Sequence, residues 1–357
     1  CIRDSTKEHI RSAEVEEVLA GAALLTGSPG QIYGNLHDAD LEWPTIEGED
    51  GKQVTATPSL YYQFLSSPDR RVRRDAALAI FGTYTDCGNT FAGTLAASIH
   101  KDGWLTSTRG YGSTLERALD ADAVPPALVE TLVATVHDNL DVIHRYIELR
   151  KRILGLDSIH IYDLYVNLGP ESGRSYSFDE GWQLAMDFWR DTFGEEYAAA
   201  AARGLAERWI DVYPNTGKRG GAFSWGTYNS HPYLFLNWGD TLEDVFTLVH
   251  EMGHSIHTYL AAANQPYHTY DYSLFIAELA SVASESLFWE WLLERTTDPE
   301  ERLVLVNQRI NNFVGTFLRQ IFFHEFEATA HAMAARGEPL TKESMGEAWA
   351  ELWTTYY

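Results

Sequence analysis

From residue 242 to residue 336 apolar positions recur at three- and four-residue spacings, and the pattern predicts three long helices over 242–263, 274–295 and 301–336. Upstream, 178–210 carries the same period for one or two helices, and 67–102 is helical in pattern as well. Residues 125–153 predict one long amphipathic helix, with Pro at its start and cations at its end as the macrodipole prefers. The Ala- and Glu-rich stretch 5–27 predicts a helix that stops at the breaker Gly27-Ser28-Pro29-Gly30. The fold class is therefore mainly α.

Three intervals break the period. Residues 36–59 alternate and carry Gly and Pro punctuation, which fits a small hairpin or a surface loop, and 156–169 reads as extended. Between 218 and 238, two β-like runs, Ala222–Tyr228 and Tyr233–Trp238, flank the turn-forming Asn-Ser-His-Pro. A hairpin placed directly before a helix offers an edge strand to which an extended peptide can add, although a hairpin that only covers the core has the same signature.

Composition narrows the partners. A formal net charge of −24 over 357 residues disfavours phosphate backbones and anionic membranes, so nucleic acid and membrane are not expected as partners. The run from Asp69 to Asp75 contains four arginines and reads as a solvated helix face bracketed by acids. No run of eighteen apolar residues exists, so no membrane span is predicted. Two cysteines, Cys1 and Cys87, cannot make a disulfide framework and fit a reducing, cytoplasmic setting.

The chemistry concentrates in FTLVHEMGHSIHTYL, residues 246–260. His250 and His254 stand four positions apart on one helical face, with Cβ atoms roughly 5–6 Å apart, so both imidazoles can reach one metal ion. Glu251 falls beside that ion, where a general base for a water molecule belongs. His257 is excluded from the same set, because a rise of 1.5 Å per residue puts it about 10.5 Å along the axis from His250. The longer metzincin pattern requires Gly at 257 and His at 260, where this chain has His257 and Leu260.

A third ligand must come from another segment, and His268, Asp271, Glu278, Glu285 and Glu290 are the downstream candidates. Glu278 stands among Leu274, Phe275, Ile276, Ala277, Leu279 and Ala280, which implies burial, and a metal ion would neutralise a buried carboxylate. Ala277, Ala280 and Ser281 would let its helix approach the histidine helix closely. Glu285, seven residues on, is placed to orient a ligand imidazole, or else is an acid at the helix surface. His268 and Tyr272, in the polar aromatic loop 264–273, are expected to face substrate. Two His and one Glu leave a fourth coordination position for water, the pattern of a catalytic zinc site holding one ion.

The spans GKRGGAFSWG, DTLEDVFTLVHEMGHSIHTYL, QPYHTYDYSLFIAELASVASESLF, FLRQIFFHEFEATAH and GEPLT, in this order, resemble the oligoendopeptidase F branch of the thimet oligopeptidase family, from about Arg70 onward. The resemblance implies a large helical zinc metallopeptidase with a deep substrate channel that cleaves short peptides. It makes His250, His254 and Glu278 the metal ligands and Glu251 the base, and it places Gly221, Ala222 and Phe223 along the substrate cleft. It also implies that the chain is cut at both ends: residues 1–66 would be a partial N-terminal helical lobe, and 67–357 the catalytic domain without a C-terminal segment that carries His and Tyr donors. The function expected is zinc-dependent endopeptidase action on oligopeptides. A non-catalytic zinc- and peptide-binding helical fragment and a metallocarboxypeptidase are the competing expectations.

Overall fold

The computed structural model describes residues 7–169, 174–215 and 218–357. Among them the helices are α1 (Ala13–Gly21), α2 (Ala23–Asn35), α3 (Tyr61–Ser66), α4 (Arg70–Asp86), α5 (Gly88–Arg109), α6 (Thr114–Asp120), α7 (Pro126–His137) and α8 (Leu140–Ile153). There follow α9 (Phe178–Phe193), α10 (Glu195–Ala206), α11 (Leu242–Asn264), α12 (Leu274–Arg295), α13 (Pro299–Phe313), α14 (Arg319–Ala335) and α15 (Lys342–Tyr356). The strands are β1 (Thr45–Glu47), β2 (Gln53–Thr55), β3 (Ile210–Asp211), β4 (Phe223–Trp225) and β5 (Tyr233–Phe235), so the fold is mainly α with two small sheets. No described helix is long and apolar enough to cross a membrane.

The chain divides into two compact units, one of Gly169–Arg309 and one of the residues before Gly169 with Ile310–Tyr357. The expected division between residues 66 and 67 thus falls inside the second unit. In that unit Val136, Ile143 and Ile147 pack with Leu318, Ile321, Phe322 and Tyr356, and Ile46 of the β1–β2 hairpin packs on Phe64, Val72 and Ile80.

Four local expectations are corrected here. The first helix does not stop at Gly27-Ser28-Pro29-Gly30, because α2 runs through Pro29 to Asn35, with Ser28 Oγ donating to the Leu24 carbonyl at 3.0 Å. The helix predicted over 125–153 is two helices: Asn139 leaves helical geometry at φ −121° and its amide donates to Thr135 O at 2.7 Å, side-chain competition for the backbone that ends α7. The stretch 156–169 is irregular with a short 3₁₀ turn, Ile161–Asp163, instead of extended. The arginine run is not a uniformly solvated face, since Arg73 is 3% exposed and pairs with the fully buried Asp163 at 3.0 Å, as Arg70 does at 2.8 Å. That pairing explains the irregular turn, which aims Asp163 inward.

The Gly169–Arg309 unit is built around an aromatic core of Trp182, Phe188, Trp189 and Phe288 with Val245, Leu248, Val249, Met252 and Ile256 of α11. Gly194, at φ 87°, takes the left-handed conformation that separates α9 from α10. The sheet order is β3-β5-β4, with β3 parallel to β5 and β4 antiparallel to it, Phe223 opposite Phe235 and Trp225 opposite Tyr233. Strand β3 carries no alternation of its own over two residues and was not legible. β3 and β4 are the two edges of this sheet, and among the described residues no further strand pairs with β4.

Candidate metal centre and cleft

Helix α11 starts at a capping box, in which Thr241 Oγ1 accepts from the Asp244 N–H and Asp244 accepts from the Thr241 N–H at 2.8 Å. The apolar stripe of α11 faces the core and turns His250 and His254 toward α12 and Glu251 toward β4. The two helices meet at Gly253: a Cβ there would stand 3.1 Å from Ser281 Cα, 3.1 Å from Ser284 Oγ and 3.2 Å from the Ala280 carbonyl. Only a glycine in HEMGH allows this approach without displacement, and the small residues of α12 complete it.

The approach brings His250, His254 and Glu278 together, with one ligand atom of each within 4.8 Å of the others. Each imidazole Nε2 lies 3.6 Å from Glu278 Oε2. Two donors bound to one zinc at about 2.0–2.1 Å stand no more than roughly 4 Å apart, and the two 3.6 Å separations meet that limit. Ser281 Oγ donates to the same Oε2 at 2.8 Å. The burial argument for Glu278 is corrected, since its side chain is 49% exposed, with Phe275 and Leu279 exposed beside it. The first turns of α12 border an open cleft, which Leu274 and Ala277 line, while Phe275 and Leu279 are exposed outside it.

His250 Nδ1 meets Glu285 Oε2 at 3.2 Å. An ionised carboxylate only accepts, so Nδ1 carries the proton and the Nε2 lone pair is left facing Glu278. Burial pulls the His250 imidazole down, but the Glu285 hydrogen bond and the charges of Glu251, Glu285 and Glu278 outweigh it and raise its pKa. His254 is lowered, by burial first and then by His250 and His257, against the opposing charge of Glu278.

Glu251 is 7% exposed, and its Oε2 is buried with no hydrogen-bond partner among the described residues. Burial, reinforced by the Glu278 charge, pushes its carboxyl up to about 7 against the lowering effect of His250 and of the Ser224 N–H. An orphaned carboxylate oxygen beside three metal-type donors is the position of a group that handles a proton on water.

A cleft of about 480 Å³ runs over this centre, bounded by β4, His250, Glu251, His254, Thr258, Glu278 and the loop Tyr270–Tyr272. Of the residues expected to face substrate, Ala222, Phe223 and Tyr272 line it. Gly221 does not: it precedes the strand at φ 83°, its carbonyl accepting from Asn237 Nδ2 at 2.8 Å. His268 does not either, since it stands exposed in a turn of the 264–273 loop. Tyr272 stacks on His257 at 3.9 Å and bonds the Thr258 hydroxyl at 2.5 Å, so His257 is a packing residue for that loop.

Ser224 and Trp225 line the cleft and were not singled out from the sequence. A period of two through Phe223-Ser224-Trp225 was the available signal: Ser224 points to α11, where it bonds Ser255 at 2.7 Å, while Phe223 and Trp225 are exposed. Leu234 and Leu236 donate toward β3, to Trp209 O and Asp211 O at 2.8 Å each. Tyr233 and Phe235 therefore pair with Trp225 and Phe223, and the main-chain groups of Ser224 face outward from the sheet.

Residues 63–357 match peptidase family M3. The chain is 40% identical over 361 aligned positions to "Oligopeptidase PepF" of Bacillus subtilis, covering all of this chain and 53% of that protein. It is 37% identical to "Group B oligopeptidase PepB" of Streptococcus agalactiae, covering 99% of this chain and 58% of that protein. The crystal structure of oligoendopeptidase-F from Enterococcus faecium superposes with a TM-score of 0.75 at 33% identity, over 99% of this chain and 57% of that one. The chain thus spans little more than half the length of these relatives.

Proposed function

The chain belongs to peptidase family M3, and from that premise we propose that it is a zinc-dependent endopeptidase that hydrolyses internal bonds of short peptides. The observation that carries the proposal is the convergence of His250, His254 and Glu278 within 4.8 Å beside a desolvated Glu251. The relatives are named as oligopeptidases and an oligoendopeptidase. His250 Nε2, His254 Nε2 and a Glu278 oxygen would hold one zinc ion, for which two imidazoles and a carboxylate are a suited donor set. A bound ion would supply Lewis-acid polarisation of a substrate carbonyl and of a water molecule.

The remaining steps fall to the chain itself. Glu251 Oε2 accepts the proton of the attacking water and later delivers it to the departing amine nitrogen. Glu285 holds the His250 ring in the tautomer that leaves Nε2 free. An extended peptide pairs with the outer edge of β4, where the Ser224 carbonyl accepts a peptide N–H, which lays the backbone along the cleft beside Glu251. A free strand edge favours short unfolded peptides over folded proteins, whose main chains are already paired.

The test is a cleavage map of a mixed peptide set by mass spectrometry, with the wild-type chain and Glu251→Gln in parallel. Internal cuts are expected from the wild type only, and loss of them on chelation. Equal cutting by both proteins refutes the role of Glu251, removal of single C-terminal residues identifies a carboxypeptidase, and zinc binding without turnover identifies a peptide-binding fragment.

A further inference from the structure

A second cluster stands in the other unit, around Arg319. The residue begins α14 directly after a π turn, Val314–Leu318, and single wide turns of that kind recur at functional sites. Its Nη1 donates to Tyr62 OH at 2.7 Å and to Tyr165 OH at 3.3 Å, and its guanidinium carbon lies 5.7 Å from the centre of the Tyr62 ring. Tyr61 packs edge-on against Tyr62, with centroids 5.4 Å apart, and Tyr62 against Tyr165 at 5.3 Å.

The cluster holds donors and no acceptor that matches them. Among the described residues no carboxylate lies within ion-pair distance of Arg319, and the titratable groups around it are the phenols of Tyr61, Tyr62, Tyr165 and Tyr357. This occurs in a chain with 51 acidic and 27 basic residues. Each phenol oxygen that accepts from the guanidinium keeps its own O–H to donate. Burial raises the Tyr165 pKa, so that proton stays in place at neutral pH. The Tyr61 hydroxyl is buried without a partner among the described residues. The guanidinium nitrogens that do not bond a tyrosine are not sealed from solvent, so incoming acceptor oxygens can reach them and gain charge-assisted hydrogen bonds.

We propose that Arg319, Tyr62 and Tyr165 form an anion site that takes a carboxylate carried on an aromatic or apolar body. One guanidinium fork and two neutral hydroxyls match the single charge and planar oxygens of a carboxylate, whereas a phosphate dianion would keep a charge unbalanced. The half-exposed Tyr62 ring supplies an apolar wall next to that fork. The site stands independently of the peptidase proposal.

Calorimetric titration of the full chain with N-acetylphenylalanine, its C-terminal amide and inorganic phosphate tests it. The acid is expected to bind about tenfold or more tighter than the amide, the difference expected of a hydrogen-bonded charge. Arg319→Gln should abolish this preference, and Tyr165→Phe, which removes one oxygen and keeps the ring, should weaken it with an unchanged melting temperature. Equal binding of acid and amide, an unaltered preference in both variants, or tighter Arg319-dependent binding of phosphate would overturn the assignment. Loss of binding on chelation would place the ligand at the His250–Glu278 centre and overturn it as well.

Discussion

Gly253→Ala tests whether the centre depends on the close approach of α11 and α12. An alanine in a helix interior is favoured over glycine by about 0.8–1.0 kcal/mol through backbone entropy alone. Here the new methyl would stand 3.1 Å from Ser281 Cα and 3.2 Å from the Ala280 carbonyl, and backbone atoms cannot swing aside as a flexible side chain can. Overpacking of this kind costs about 1–3 kcal/mol, so the net effect is a loss of about 0–2 kcal/mol. Gly103→Ala, in α5 with nothing within 4 Å of the added Cβ, provides the comparison and should gain up to about 1 kcal/mol. Urea unfolding of both variants beside the wild type measures the difference, which should be about 1–3 kcal/mol. Ser281 holds Glu278 Oε2 at 2.8 Å, so the same push should weaken zinc affinity, read with a competing chelator dye. A Gly253→Ala protein stabilised as much as Gly103→Ala, with unchanged zinc affinity, would refute the packing argument.

Further outcomes follow from the same geometry. Glu285→Gln removes the carboxylate that fixes His250 Nδ1–H and should lower zinc affinity about 10–100-fold with the fold intact, measured by the same dye competition. His254→Ala should abolish zinc binding at micromolar metal, whereas His257→Ala should leave it within about threefold, because His257 packs on Tyr272 and lies too far along the helix to ligate. Burial pushes Asp163 up, but the hydrogen bonds of Arg70, Arg73 and the His160 N–H outweigh it, and its pKa falls below 3.8. A lowered carboxylate stabilises the folded state above its unfolded pKa and loses that contribution as pH falls through the folded one, so melting temperature should drop below about pH 4. Asp163→Asn should flatten this acid limb and cost about 3–5 kcal/mol at pH 7, because it strands Arg73 as a buried unpaired charge.

The long helices and the hairpin were legible because their residues obey one period over many positions. Helices α11 and α12 begin and end within two residues of their predicted bounds, 242–263 and 274–295. What escaped depended on contacts distant in sequence. Arg73 reads as one of four exposed cations until Asp163, ninety positions away, is seen to turn inward toward it. Strand β3 exists only because β5 passes beside it. The break at Asp138-Asn139 is a competition between one side-chain amide and the helical ladder, which a hydrophobic period over 125–153 does not register.

Glu278 is the instructive residue, because the position was reached from the sequence by a premise that the structure reverses. Apolar neighbours mean burial on a helix that is covered, but the start of α12 borders a cleft, and there Leu274, Phe275, Ile276 and Leu279 are exposed. The two carboxylates beside the histidines consequently divide in environment: Glu251 is 7% exposed and pushed up to about 7, while the side chain of Glu278 is 49% exposed between two imidazoles. The proposed base, which would take and release a proton near neutral pH, thus occupies the desolvated position, and the proposed ligand carboxylate the one facing the two imidazoles. The division follows from helical geometry: Glu251, one position after His250, turns toward β4 and the Ser224 N–H, whereas Glu278 enters from a neighbouring helix that has no strand to cover it.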